Sequence, residues 1–341
     1  MGDGPDGPVV VVTGASAGIG RAVAIAFARQ GWRVALLARG RERLESAGRE
    51  IEAAGGAALV LACDVADADA VFAAADAVVA QWRRIDVWVN NAMATVFAPA
   101  HEMPAAEFRR VTEVTYLGQV HGTLAALRHM RTRNAGTIVQ VGSALSYRSI
   151  PLQSAYCAAK FAVRGFTDAL RSELLHEGSG VRLTMVQLPA VNTPQFDWAR
   201  SRLPRRPQPV PPIYAPEAAA AAILRAAEEA PRELWVGAPT LQAIVGTMLA
   251  PGLLDRLMAR RAWEGQMTPE PARPDGEGNL QEAPAGDPGR RGRFTAVAQD
   301  RALVASSHLV RGMFAAIAVG LVAAAVLVGR SAAAAARRRR R

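Results

Sequence analysis

The sequence predicts an α/β fold, a doubly wound parallel sheet with helices on both faces. Three observations predict it. Short runs rich in Val, Leu and Ile alternate with Ala-rich stretches of helical length through about residue 240, and near-continuous apolar strands of this kind suit a sheet buried on both faces by right-handed βαβ units. A glycine-rich turn separates the first run from the first helical stretch, the place where such folds meet a ligand. Half of the 341 residues are hydrophobic and only two are cysteine, Cys63 and Cys157; the chain can bury a large core, and no disulfide framework is expected, as suits a reducing compartment.

The elements follow in order. "VVVVT" (9–13) opens the sheet, and "TGASAGIGRAVAIAFARQG" places Gly14, Gly18 and Gly20 at the start of a helix. Glycines let the backbone turn tightly and approach a pyrophosphate, whose charge then meets free N–H groups and the positive end of the helix dipole. The spacing is G-x-x-x-G-x-G, unlike the commoner G-x-G-x-x-G, and a glycine turn by itself also serves ordinary strand-to-helix connections. "RVALLA" (33–38) ends at Ala38 and Arg39 with no acid at its tip. A carboxylate there would take the ribose 2′-OH and a cation a 2′-phosphate, so the sequence favours NADP(H); the alternative is that Arg39 is a solvated loop charge. After "AALVLAC" (57–63) come Asp64 and Val65, placed to flank an adenine, and after "DVWVN" (86–90) come Asn91 and Ala92, near the middle of the cofactor.

"GTIVQVGS" (136–143) ends on Ser143, and "SAYCAAK" (154–160) supplies Tyr156 and Lys160, the only lysine in the chain. Positions i and i+4 share a helix face. A free phenol with a pKa of about 10 is a poor acid or base at neutral pH, whereas a fixed ammonium beside it favours phenolate. Ser143, at a strand's carboxyl end, can hydrogen-bond a substrate oxygen beside Tyr156. "VRLTMVQL" (181–188) is the sixth strand, "RLPRRPQPVPPIYAP" (202–216) an extended proline-rich connection, "APEAAAAAILRAAEEAP" a helix begun by Pro216 and Glu217, and "ELWVG" (233–237) a seventh strand. Phe97, Phe196 and Trp198 read equally as substrate pocket or as core.

Four regions are expected: a catalytic domain over 1–240, a helical extension over 241–265, a flexible Pro/Gly-rich linker over 266–292, and a C-terminal part over 293–341. The net charge is +10, but residues 301–341 hold eight arginines and no acid, which leaves +2 for the rest. That placement speaks against nucleic acid and for a basic tail beside anionic lipid. "MFAAIAVGLVAAAVLVG" (313–329) has 17 uncharged residues, the short end of a bilayer span, and a five-arginine terminus on the far side would oppose the positive-inside tendency. The expectation is therefore a membrane-associated segment lying at the cytoplasmic face, with a docked hydrophobic helix or an oligomer contact as the alternative. "MGDGPDGP" carries no signal-peptide pattern, and the five histidines have no metal-ligand spacing.

Taken together, "TGASAGIG", "NNA", Ser143 and "YCAAK", in order through about residues 8–240, resemble the short-chain dehydrogenase/reductase family. The resemblance implies a Rossmann-type fold with a parallel sheet of about seven strands and an enzyme that transfers hydride between NADP(H) and a carbonyl/alcohol pair of a small molecule. It implies Tyr156 as general acid/base, Lys160 as the group that holds the nicotinamide ribose and lowers the phenol pKa, and Ser143 as the residue that polarises the carbonyl. By the same analogy Ser16 and Ile19 join the glycine-loop contacts, Thr193 meets the carboxamide, and the chain is expected to be a homo-oligomer. Three positions depart from the family pattern: Thr115 where Asn is usual, Met93 at the end of "NNAM", and Ala190 after Pro189. Thr115 and Met93 motivate another reading, a dinucleotide-binding sensor or scaffold with little turnover; dehydration on the same fold is a third.

Overall fold

The computed structural model describes residues 7–272, 278–316 and 319. Strand β1 (Val9–Thr13) is wholly buried, and its valines divide between two cores as the period-two alternation of a strand requires. Val9 and Val11 belong to one layer with Trp88, Met130 and Ile138, while Val10 and Val12 belong to the other with Phe27, Leu36 and Ile223. The chain continues through α1 (Gly18–Ala28), β2 (Arg33–Ala38), α2 (Arg41–Ala53), β3 (Ala57–Ala62), α3 (Ala68–Trp82) and β4 (Val87–Asn90). Asp67 caps α3 by accepting the Ala70 N–H at 3.1 Å.

A short β5 (Val96–Phe97) precedes α4 (Ala105–Thr112) and α5 (Gly118–Arg133), which are joined by a π-turn over Glu113–Leu117. Then come β6 (Gly136–Ser143), α6 (Ser154–His176), β7 (Val181–Leu188), the short α7 (Gln195–Trp198), β8 (Arg200–Ser201) and β9 (Arg205–Pro207). Helix α8 (Pro216–Glu229) starts on its proline, as expected, and leads to β10 (Glu233–Val236). The helical extension is broken into α9 (Ala238–Leu249) and α10 (Pro251–Leu257), with Pro251 opening the second piece.

The main sheet has eight strands in the order β12-β10-β7-β6-β4-β1-β2-β3, where β12 is Val304–Ser306. Seven strands are parallel, as the sequence predicts. The eighth is not: β12 pairs antiparallel to β10 and covers what would otherwise be an open edge. The strand order reverses between β1 and β4, and a crevice at that switch point, at the strands' carboxyl ends, is where an α/β sheet binds its ligand.

The described residues of the region expected as a linker, 266–272 and 278–292, pack on the body. Met267–Pro271 forms β11, antiparallel to β9, and residues 278–289 lie along the crevice with Leu280 buried. Most of the hydrophobic segment 313–329 lies outside the described residues; residues 307–316 are helical, with Leu309, Met313 and Phe314 exposed. Among the described residues no helix is long and apolar enough to cross a membrane.

Candidate functional site

The loops leaving β1 and β4 are fastened to each other. Thr13, the last residue of β1, receives at its hydroxyl the backbone N–H of Asn91 (2.9 Å) and that of Ala92 (3.0 Å), while Asn91 Nδ2 donates to the Thr13 carbonyl at 2.9 Å. The glycines are required by this closeness. Gly14 has φ +68°, and a Cβ on Gly20 would stand 2.1 Å from the Gly14 carbonyl oxygen. Ser16, Gly18 and Ile19 line the crevice with them, and Thr193 sits against Gly18, where a Cβ would meet its Cγ2 at 3.2 Å. The backbone thus forms a cradle without side chains at the start of α1, whose N-cap, Ala17, gives no side-chain oxygen to the first N–H groups. Such a cradle fits a pyrophosphate.

Toward β2 and β3 the charges are mostly basic. Arg39 lies at the β2 tip, as the sequence indicates; burial lowers its pKa, and its donors meet the backbone carbonyls of Asn279, Leu280 and Gln281. Sequence reasoning missed Arg43, one helical turn on, which is buried against the Trp198 ring at 4.9 Å. Its signal was the i, i+4 spacing from Arg39. Asp64 is held by the Arg110 guanidinium and accepts the Ala66 N–H at 3.0 Å. Burial opposes these bonds, but together with the Arg110 and Arg39 charges they hold its carboxyl below the ordinary range. Val65 is buried beside it, its carbonyl 2.9 Å from His121 Nδ1.

At the other end of the crevice the structure brings Ser143, Tyr156 and Lys160 together. The Ser143 hydroxyl faces the Tyr156 phenol, and Lys160 Nζ lies 5.7 Å from the centre of the Tyr156 ring. The Ser143 backbone N–H is fixed by Gln187 Oε1 at 2.8 Å, and its hydroxyl accepts the Leu145 N–H at 3.1 Å. Burial raises the Tyr156 phenol above its ordinary value, and the Ser143 hydroxyl pulls the other way. Burial also lowers the Lys160 ammonium to about 7. For the phenol, desolvation is the larger influence and the Ser143 hydroxyl the opposing one.

Lys160 Nζ donates to the Val141 carbonyl at 2.6 Å, and Gln119 Nε2 reaches the same oxygen at 3.2 Å. Gln119 was not picked out from the sequence; it follows Thr115 by one helical turn beyond the π-turn. Thr115 itself is engaged locally, donating to the Ala94 carbonyl at 2.8 Å and accepting its N–H at 2.9 Å. Met93 lines the crevice.

A cavity of about 670 Å³ runs from the glycine loop and Arg39 to Ser143, Tyr156 and Lys160. Beyond the reactive groups it is walled by Leu145, Ile150, Phe196, Val210 and Met258. Phe196 and Trp198 are therefore lining residues, whereas Phe97 is buried in a small core against Phe196 at 5.9 Å. The crevice is long, positive at one end and apolar at the other, and the residues present fit a nicotinamide dinucleotide.

Comparison with known proteins agrees with this geometry. Residues 8–203 match the family described as short chain dehydrogenase. An uncharacterized oxidoreductase of Bacillus subtilis (strain 168) is 34% identical over 280 residues, 82% of this chain and 79% of that protein. A fatty acyl-CoA reductase of Acinetobacter baylyi is 31% identical over 255 residues, 74% of this chain and 83% of that one. Among solved structures, a metagenomic short-chain oxidoreductase in complex with NADP superposes with a TM-score of 0.55 at 32% identity, covering 64% of this chain and 90% of that chain. An alcohol dehydrogenase of the archaeon Thermococcus sibiricus, complexed with 5-hydroxy-NADP, gives 0.58 at 29%, covering 67% and 95%.

Proposed function

The chain belongs to the short-chain dehydrogenase family and is an oxidoreductase, and from that premise we propose that it is an NADP(H)-dependent enzyme interconverting a lipophilic carbonyl compound and its secondary alcohol. The observation that carries the reading is the convergence of Ser143, Tyr156 and Lys160 on one end of a cleft whose other end is lined by Arg39 and Arg43. The nicotinamide, when bound, supplies or accepts the hydride. Ser143 donates its hydroxyl hydrogen to the carbonyl oxygen and fixes its position next to the phenol. Tyr156 gives its proton to that oxygen in reduction and recovers it in oxidation. Lys160, held by the Val141 carbonyl, places a positive charge beside the phenol that favours phenolate as the proton leaves. Arg39 and Arg43 supply donors to a 2′-phosphate, which supports NADP(H) over NAD(H). The glycine loop and the α1 N-terminus take the pyrophosphate, Asp64 and Val65 the adenine, and Thr193 the carboxamide.

Lipophilic substrates are supported by the apolar wall of Leu145, Ile150, Phe196, Val210 and Met258. A tether to the cytoplasmic face of a membrane is supported by the exposed Leu309, Met313 and Phe314 and by the arginine-rich tail; fractionation with and without residues 305–341 tests it, and an unchanged soluble distribution refutes it. The chain is further read as a homo-oligomer.

The catalytic reading is tested by turnover of wild type and Tyr156→Phe on a panel of ketones and aldehydes with NADPH. Loss of a general acid costs about 10²- to 10⁴-fold, so the variant should fall by at least two orders of magnitude. Equal turnover of the two would refute the assignment. Tighter binding of NADH than of NADPH would refute the cofactor choice.

A further inference from the structure

Residues 278–289 meet Arg39, Arg43 and the start of α1, groups just assigned to the 2′-phosphate and pyrophosphate of the cofactor. Arg39 donates through Nη1 to the carbonyls of Leu280 (3.2 Å) and Gln281 (2.6 Å) and through Nη2 to that of Asn279 (2.5 Å). Arg43 donates through Nε to Gly286 (2.6 Å) and through Nη2 to Ala285 (2.8 Å). Five backbone carbonyls thus present their negative ends to two guanidiniums that a phosphate would otherwise occupy. Leu280 is 2% exposed and packs in the core group that holds Cys63 and Val65, and its carbonyl also takes Arg110 Nε at 3.1 Å. The Gly289 carbonyl accepts the N–H of Gly18 at 3.2 Å, the first residue of α1, where an anion would sit.

One side chain pins the stretch down. Asp287 bonds Arg21 Nη1 at 2.5 Å and Nη2 at 3.2 Å and accepts the Ser46 hydroxyl. Arg21 is 2% exposed and also reaches Glu50 at 2.6 Å. Burial disfavours the Asp287 carboxylate, but these bonds outweigh it and hold its pKa at about 2. On either side the chain is anchored to the body, by β11 pairing with β9 and by β12 pairing with β10.

We propose that residues 278–289 are a built-in competitor of the cofactor, in which the chain's own backbone carbonyls line the adenosine end of the cleft, occupy the donors of Arg39 and Arg43, and must leave them when NADP(H) enters. The proposal rests on the NADP(H) reading above. The donors of Arg39 and Arg43 cannot serve five carbonyls and a 2′-phosphate at once. A tethered competitor reduces the apparent affinity by the fraction of molecules in which it is released. Since β11 and β12 stay paired, release is local and reversible, and the enzyme's cofactor threshold is set by how firmly this stretch is held.

The test follows hydrogen exchange of the full chain with and without NADPH, alongside equilibrium NADPH binding by wild type, by Asp287→Ala, and by a variant whose residues 279–287 are replaced with Gly and Ser at equal length. Peptides covering 278–289 should lose protection when NADPH binds, and both variants should bind NADPH more tightly, by about tenfold for the replacement if the closed state holds about nine-tenths of the molecules. Greater protection of 278–289 with NADPH, or weaker binding by the variants, would make the stretch a clamp over the bound cofactor and overturn the proposal. Unchanged affinity in both variants would overturn it as well. If the replacement bound neither NADPH nor NADH, the cofactor reading itself would fall and this inference with it.

Discussion

Lys160 is the only lysine among 40 basic residues, and it is 2% exposed with its ammonium on the Val141 carbonyl. A compact ammonium fits that space and a planar guanidinium does not; Lys160→Arg should therefore lose at least two orders of magnitude in kcat, measured on the same carbonyl panel, although arginine is used everywhere else. Burial lowers its pKa from 10.5 to about 7, while the unfolded chain keeps the higher value. Between these two values the unfolded chain holds a proton that the folded chain lacks, so this residue makes stability rise with pH through that window and fall as pH drops toward 7. Melting temperatures of wild type and Lys160→Met compared from about pH 6 to about pH 10 should show the wild type gaining on the variant as pH rises; parallel curves would mean that the amine is not desolvated. At this scale the sequence was legible where chemistry demands one residue type, as at Gly14, Ser143, Tyr156 and Lys160. It was silent on Gln119 and Gln187, whose roles arise because α5 and β7 bring ordinary amides to the Val141 carbonyl and the Ser143 N–H.

Among the elements, the glycines separate fit from flexibility. Gly20→Ala would drive a methyl into the Gly14 carbonyl, 2.1 Å from the ideal Cβ, and backbone cannot yield there. Cofactor binding should be lost and the melting temperature should drop by several degrees. Gly165, inside α6, has nothing within 4 Å of its Cβ position, and Gly165→Ala should stabilise the chain by about 0.5–1 kcal/mol in denaturant titration. The strands and first helices were readable because each carries its own apolar pattern. The π-turn at Glu113–Leu117 and the breaks at α9 and α10 were not, since their geometry is set by what they pack against.

For the whole molecule, the eight-stranded sheet depends on a strand supplied from beyond the catalytic region. β12 reads "VAS" in a stretch without a clear strand pattern, and its antiparallel pairing to β10 is a long-range contact that local propensity does not encode. Ala305→Pro removes a backbone donor opposite Trp235 and should leave β10 as an open edge. The expected result is a lower melting temperature and concentration-dependent association in light scattering; a monodisperse, equally stable variant would show that the edge needs no cover. The same reasoning explains the packed stretch 278–289. Its composition is that of a linker, and it is distant groups, chiefly the arginines of the β2–α2 corner, that give its carbonyls a place to dock.

Trp198 stands at that corner, with Arg43 over its ring at 4.9 Å and its carbonyl receiving the Asn279 N–H at 2.9 Å. An indole under a guanidinium and tied to the docked stretch is an optical reporter that the chain already carries. Its emission should shift in colour and intensity each time the corner changes hands, so the exchange can be timed by stopped-flow without a label.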